Sequence, residues 1–504
     1  MTKEQPLDDT MMEVREDFML SPAGDSKLTL RTAHFLKPIA NTIEEPAFEV
    51  NPFSLSSSVF DPKKWSLSIH FNGWCHPQQK WVSWVDQLKL RYENMWKKVG
   101  IFEAIMSTKC KILKNENLLL GVVEKWCCET NTFVFPFGEA TITLEDVMVL
   151  GGYPVLGDSV LTPLEDKEMR EVEKKLILAR NELSKTGWPT TSLWMDIFIG
   201  KGSEIEHEAF LATWLSVFVF PPKRMFVKSC LFPIAVHLAR GNPIAFAPAV
   251  LASLYKDLSF FKKTIVDLSK YPVGADSFPL VISIQSPFYL VQVWVWERFK
   301  NLQPQPQTML ISQGVPFLFR WHKVKDLKMD NVRLALDSAI DDFLWRPYVR
   351  YADKCGLFYP NDEILVSFMN HLDKKMLSFV TCLRVSELVG FDAIEQYLPH
   401  RVAMQFGMDQ DVPSYVPKFN ETESVVCKNY FRPISNKNLY FPAKLFKADV
   451  TTRYAKWWKQ SVLGHENLVK NIAKRRRSES SSKHRQANIS GNDVDVPLGF
   501  PPKV

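Results

Sequence analysis

The sequence predicts a mainly α protein: one large helical domain with small β-hairpins at residues 65–465, an extended or disordered arm at 1–64, and a disordered basic tail at 466–504. Three observations predict this. Apolar residues recur at steps of three and four from Gln79 to Lys98, the period of a helix with one buried face. The segments EAFLATWLSVFVF, CLFPIAVHLARG, AFAPAVLASLYKDLSFF and LVQVWVWERF follow one another as buried elements. They read as mostly helical, the last also able to form a strand. Strand-like runs are short and lie beside Gly, Pro or Asn turn signals.

At 504 residues the chain exceeds the size at which a single core keeps growing, so one large unit with appendages, or two units, is expected. Hydrophobic residues at 46% and charged residues at 23% are ordinary soluble usage, while 15 Trp and 35 Phe supply large apolar area. A formal charge of +6 is too mild for nucleic-acid binding by the whole domain. The apolar stretches Ala209 to Pro222 and Met225 to Ala239 are cut by Pro221, Pro222, Lys223, Arg224 and Lys228. Each falls short of the roughly 20 residues a bilayer needs and reads as buried helix, so no membrane partner is expected. The acidic start MTKEQPLDDTMMEVRED is unlike a secretory signal. The eight cysteines Cys75, Cys110, Cys127, Cys128, Cys230, Cys355, Cys382 and Cys427 form no CxxC pair and read as reduced, mostly buried thiols.

Residues 1–64 lack sustained periodicity and carry PAGDS, IEEPAFEVNP and SLSSS, compositions that bury too little area to order themselves. From Trp65 the chain reads as folded: WSLSIHF alternates like a strand, Asn72-Gly73 is a turn signal, and a helix runs from Gln79 to Lys98. In that helix Trp81, Trp84, Val85, Leu88, Tyr92, Met95 and Trp96 share one face. Such a stripe reads as core, against a stacking platform for single-stranded nucleic acid.

The most informative block is WCCETNTFVFPFGEATITLEDVMVLGGYPVLGDS, Trp126 to Ser159. Thr132 to Phe135 is β-branched and aromatic, hence a strand. Pro136 and Gly138 reverse the chain, which returns through Ala140 to Thr143. Thr143 stands three residues before Asp146, the capping-box spacing, so a helix starts at Leu144 and points Leu144, Val147, Met148 and Leu150 inward. Gly151-Gly152 stops it, and Pro154 follows. Glu139 is the charged residue in the turn; it reads as paired with an arginine such as Arg298 or Arg346, with partner contact as the alternative. Further on, Phe391, Ile394, Tyr397 and Leu398 keep helical spacing, Pro399 breaks the run, Val402 to Phe406 forms a turn ended by Gly407, and Asp409 to Pro413 exits as a loop.

Chemical motifs are weak. His207-Glu208 starts like a zinc-protease helix, but Leu211 occupies the position of the second histidine. Gly200-Lys201-Gly202-Ser203 lacks the spacing and hydroxyl of a phosphate loop and reads as a turn. Asp341-Asp342 and Asp409 with Asp411 could hold Mg²⁺ for nuclease chemistry, but such pairs more commonly cap helices or line turns. No GxSxG or GxGxxG motif appears. No lysine stands in a context that marks a Schiff base. No catalytic residue, metal ligand or cofactor is therefore predicted. In the tail, Lys474, Arg475, Arg476 and Arg477 form a basic run suited to an import receptor or a phosphate backbone.

The segment FPFGEATITLEDVMVLGGYPVLG resembles the signature of the plant mobile domain family, also labelled aminotransferase-like, which includes the MAIN-like proteins. The resemblance rests on Phe137, Gly138, Glu139, Ala140, Thr141, Thr143, Leu144, Glu145, Asp146, Val147, Gly151 and Pro154. HFNGWCHPQQKWVSWVDQLK resembles the family's lead-in and GFDAIEQYLPHRVAMQFGMDQDVP its carboxy-terminal block, so residues 65 to 460 are covered. The resemblance implies a non-catalytic nuclear protein-interaction module, similar to relatives linked with transposable-element silencing, genome integrity and meristem maintenance, with a phosphatase-like protein as an associated partner. It implies no transamination. The alternative is a direct DNA- or RNA-binding protein, or a remnant of transposon machinery, in which the basic run and RYAKWWK, with Trp457 and Trp458, contact phosphate and stack bases.

Overall fold

The computed structural model describes residues 11–24, 27–43, 67–185, 187–223, 226–269, 280–307, 315–352, 357–367, 372–418, 422–434 and 438–462. Its first element corrects the expectation of an extended or disordered arm. Strands β1 (Met12–Leu20) and β2 (Thr29–Leu36) form an antiparallel hairpin in register Met12↔Leu36 to Met19↔Thr29. Val450–Thr451 adds a third strand beside β1. The inward side mixes charge with a small apolar cluster of Met19, Ala33 and Phe35, and charged pairs anchor it: Arg15 and Arg453 both bind Asp411, and Arg31 binds Asp409 at 2.7 Å and Asp449 at 3.0 Å. The interleaved charges hide its apolar alternation. Residues 1–10, 25–26, 44–66 and 463–504, with Lys474 to Arg477, lie outside the described residues.

Burial pushes the Asp411 carboxyl up, but hydrogen bonds from Arg453, Arg15 and Thr451 outweigh it and hold the group below the usual carboxylate range. Its stabilising contribution is therefore present above the unfolded value and lost as pH falls through the folded one. Asp411→Asn should loosen the hairpin locally, raising amide exchange at 12–20 and 29–36 by about 10- to 100-fold. Exchange in the long helix Phe246–Ser269 should stay unchanged.

The predicted strand of WSLSIHF is Leu67–Phe71, parallel to Leu280–Ile284. The first helix runs Gln79–Val99 and ends at Gly100 in the left-handed region (φ 81°). Trp81, Trp84, Val85, Leu88 and Trp96 are buried in it, so the aromatic stripe is core. Trp81 stacks on Phe210 at 4.8 Å, and the Trp84 indole N–H donates to Glu206 at 3.1 Å.

The apolar segments are helices: Glu206–Trp214 running into a π turn at Leu215–Val219, then Phe232–Ala239, Phe246–Ser269 and Tyr289–Arg298. LVQVWVW is thus helical. All of Leu290 to Arg298 is buried, the polar Gln292, Glu297 and Arg298 included, each hydrogen-bonded within the core. One hydrophobic cluster joins these helices with the signature block and the segment Phe379 to Met408. No helix of the described residues is long and apolar enough to cross a membrane.

The helical spacing at Phe391 to Leu398 is overturned. Ser386–Val389 and Ile394–Tyr397 are strands of a tight antiparallel hairpin, closed by a Gly390 N–H bond to the Ala393 carbonyl at 2.8 Å. Residues three apart share a helix face but lie on opposite faces of a strand, and here Ile394 is exposed while Tyr397 is buried; the Gly390 turn packs near Ala249 and Ala252 of the long helix. The following 3-10 turn, Pro399–Phe406, ends at left-handed Gly407 (φ 76°) as the sequence indicates. Asp409 to Pro413 is no free loop. Its residues are buried, and it bridges Phe35, Val450 and Ile39.

Candidate functional site: the polar network under the signature turn

Thr132–Phe135 and Gly138–Ala140 pair as Phe133↔Ala140, Val134↔Glu139 and Phe135↔Gly138, a hairpin as expected, but its return strand starts at Gly138 and ends at Ala140 rather than running from Ala140 to Thr143. The helix that follows is Leu144–Gly151. Its capping box is complete: the Thr143 hydroxyl accepts the Asp146 N–H at 3.2 Å, and the Asp146 carboxylate accepts the Thr143 N–H at 2.8 Å. Gly152 ends it at φ 71°. The capping box and the glycine stop are local, and the sequence placed them correctly.

The partners of the carboxylates are not local. Glu139 is bound by Arg401, whose Nε and Nη2 each donate to Oε1 at 3.1 Å, and by the Thr132 hydroxyl at 2.9 Å. This corrects the expected pairing with Arg298 or Arg346. Arg298 instead binds Asp146 at 2.7 Å, where the Tyr348 hydroxyl also donates at 2.5 Å. Its other guanidinium nitrogen donates to the Trp345 carbonyl at 2.6 Å. Arg346 donates to the Ala443 carbonyl at 2.8 Å. Glu145 accepts the Tyr359 hydroxyl at 2.6 Å. Gln405 closes the network like a piece of strand, accepting the Thr141 N–H at 2.8 Å and donating to the Thr141 carbonyl at 2.9 Å.

Of the twelve signature residues, eleven are buried and Pro154 is half-buried. Glu139 is 1% exposed, which leaves it out of reach of a partner. Burial pushes its carboxyl up against the pull of Arg401. Burial also pushes Glu145 up to about 7, with the Tyr359 hydrogen bond opposing. A carboxyl whose folded value lies above its unfolded one contributes stability that is full below the unfolded value and is lost as pH rises through the folded value. Glu145→Gln, which keeps an acceptor for Tyr359, should therefore raise stability at pH 8 by up to about 3 kcal/mol. It should also flatten the fall in urea midpoint between about pH 4.5 and 7, measured across a pH series.

The other candidates are occupied structurally. His207 stacks on Tyr92 at 3.7 Å and accepts the Trp96 indole N–H at 3.0 Å; burial pushes it down to about 3, so it is neutral. Gly200 and Gly202 are turn residues with φ 67° and 66°. Asp341 lies in a 3-10 turn, and Asp342 follows it. Asp409 and Asp411 are held by the arginines of the hairpin and its neighbours. Among the described residues no group of three or more His, Cys, Asp or Glu is placed to hold a metal ion. Two small voids, one near Ser159 and Tyr430 and one near Cys75 and Cys110, are about 20 Å³ each, room for about one water.

Trp457 and Trp458 are 3% and 7% exposed. The helix that carries them, Thr452–Val462, docks on the signature turn, where the Trp458 indole N–H donates to the Pro136 carbonyl at 3.2 Å. These rings are therefore not available to stack on bases. Sequence reasoning missed Arg401, Tyr348, Tyr359 and Gln405; the available signal was a polar residue inside an apolar run.

A family model described as plant mobile domain matches residues 100–459. Among curated proteins of Arabidopsis thaliana, the chain is 26% identical over 321 residues to Protein MAINTENANCE OF MERISTEMS, covering 60% of this chain and 59% of that protein. It is 45% identical over 319 residues to Protein MAIN-LIKE 1, covering 60% and 56%. It is 25% identical over 323 residues to Serine/threonine-protein phosphatase 7 long form homolog, covering 59% and 22%. The chain spans less than two thirds of the length of each of these relatives. No solved structure matches it. With the hairpin, the capped helix and the glycine stop all formed where the signature lies, and with the match running through most of the folded residues, the chain belongs to the plant mobile domain family.

Proposed function

We propose that the chain is a non-catalytic nuclear module that acts by binding other proteins, in the service of transposable-element silencing, genome integrity and meristem maintenance. One observation carries this reading: the polar residues of the signature are spent on holding the core together, with each carboxylate bound to an arginine or tyrosine inside it. What such a signature preserves is a rigid surface rather than a reaction centre. Two relatives' names support the cellular setting, one by its meristems and one by its phosphatase. In the phosphatase 7 long form homolog the matching stretch is only 22% of the protein, consistent with a unit that works beside other domains. A phosphatase-like protein is the first partner to look for.

The test is purification of the tagged chain from plant nuclear extract, treated with nuclease, at two salt concentrations. Protein partners retained at high salt after nuclease treatment are the expected result. Recovery of nucleic acid alone, lost with a log–log salt slope of about −0.7 to −0.9 per phosphate contact, would establish direct nucleic-acid binding instead. For the nuclear address, changing Lys474, Arg475, Arg476 and Arg477 to alanine should shift a fluorescent fusion to the cytoplasm. An unchanged distribution would remove that role from the basic run.

A further inference from the structure

The hairpin of β1 and β2 presents two unequal sides. Its inward side carries Arg15, Asp17 and Arg31, all held in ion pairs, together with the buried Met19, Ala33 and Phe35. Its outward side carries Val14, Phe18, Leu28 and Leu30, each 49–59% exposed, with Phe18 directly opposite Leu30. A solvated sheet face is normally the polar one, and the exposed apolar pair of Phe18 and Leu30, with Leu28 just before β2, marks a contact site on this one. Glu16 lies between Val14 and Phe18 on the same side, exposed and without an ion-pair partner among the described residues.

β2 is also an outer strand of its three-stranded sheet. The His34 carbonyl accepts the Asp409 N–H at 2.8 Å and the His34 N–H donates to the Asp409 carboxylate at 3.2 Å, so the His34 backbone points away from β1. Alternate residues of a strand point the same way, which puts the peptide groups of Leu30 and Thr32 on that margin too. The Thr32 carbonyl accepts from the Arg31 side chain at 3.1 Å. The Leu30 N–H, the Leu30 carbonyl and the Thr32 N–H meet no backbone partner among the described residues. The margin is thus paired with an extended residue at one end, where Asp409 bridges Phe35, and open at the other.

We propose that the open margin of β2 and the apolar side of the hairpin take up an extended segment of a partner protein by strand addition. The segment is roughly four to six residues long, apolar at alternate positions, with a basic residue between them to meet Glu16. Backbone hydrogen bonds to Leu30 and Thr32 supply affinity, and apolar contact with the exposed Phe18 and Leu30 side chains supplies selectivity. A second copy of the chain is the poorer occupant. Four half-exposed side chains and one short ladder cover on the order of 400 Å² per partner, about half of what a stable interface needs. This inference rests on the interaction-module reading and names the surface that performs it.

The probe is a library of octapeptides displayed on phage and selected against the full chain. Enriched peptides should show period-two apolar residues. Leu30→Pro removes one outward N–H at an edge position where proline is tolerated and should weaken the selected peptides at least about tenfold. Phe18→Ser, at a half-exposed position, should do the same if Leu30→Pro disturbs the hairpin, and bound peptide should protect the amides of 30 and 32 from exchange. No enrichment, enrichment indifferent to both variants, or a concentration-dependent dimer abolished by Leu30→Pro overturns the proposal. The two readings fail separately. Salt-resistant nuclear partners fully retained by Phe18→Ser sink the margin and leave the module, whereas an extract that yields no protein partner for the unaltered chain sinks the module itself.

Discussion

Arg298→Met should lower the unfolding free energy by about 3–5 kcal/mol, the cost of removing one member of a buried ion pair. Both side chains are fully buried, so the Asp146 carboxylate left behind has no water to turn to. It would keep the Thr143 N–H and the Tyr348 hydroxyl but lose the positive charge that offsets its burial. The Trp345 carbonyl would lose its donor as well. The measurement is the urea midpoint at pH 7 with the slope unchanged. Arg298→Lys should recover little, because one ammonium cannot span Asp146 and the Trp345 carbonyl as the guanidinium fork does. The double variant Arg298→Met with Asp146→Asn should be more stable than Arg298→Met alone, since the orphaned charge is gone. A loss below about 1 kcal/mol for Arg298→Met would mean that the pair is not what locks the signature helix to the helix Tyr289–Arg298.

What could be read from the sequence follows the distance over which each feature is encoded. The capping box of Thr143 and Asp146 spans three residues, and the stripe from Trp81 to Trp96 spans one helix; both were legible, and both formed. The Glu139–Arg401 bond spans 262 residues and the Asp146–Arg298 bond 152. For these the sequence shows only that a charge in an apolar run needs a partner, not which of several arginines supplies it. Arg298 was a sound candidate attached to the wrong carboxylate. The β1–β2 hairpin was hidden for another reason: its inward side is stabilised by ion pairs with Asp409 and Asp411, near the far end of the folded chain. Its apolar inward residues Met19, Ala33 and Phe35 are interrupted by Arg15, Asp17 and Arg31, so apolar periodicity does not reveal the element. At Ile394 to Tyr397 the three-residue spacing matched a helix face, but Ile394 is exposed and Tyr397 buried, the two opposite faces of a strand.

Gly152→Ala should cost about 2–4 kcal/mol, because two penalties act at one position. The residue sits at φ 71°, a conformation that costs a side-chain-bearing residue about 1 kcal/mol or more. A Cβ there would also stand 2.6 Å from the Ala104 nitrogen and 2.8 Å from the Glu103 carbonyl carbon, contacts that only a backbone shift can relieve. Gly200 separates the two penalties. Its φ is 67°, but nothing lies within 4 Å of its Cβ position, so Gly200→Ala should lose only about 1 kcal/mol. The comparison is of urea midpoints for the two variants. A larger loss at Gly152 places the signature's glycine stop where the Leu144–Gly151 helix is pressed against the helix Phe102–Ser107. It would then be a packing requirement of the fold, like the buried carboxylates before it. Equal losses would mean that the neighbouring backbone yields, leaving the glycine needed for its conformation alone.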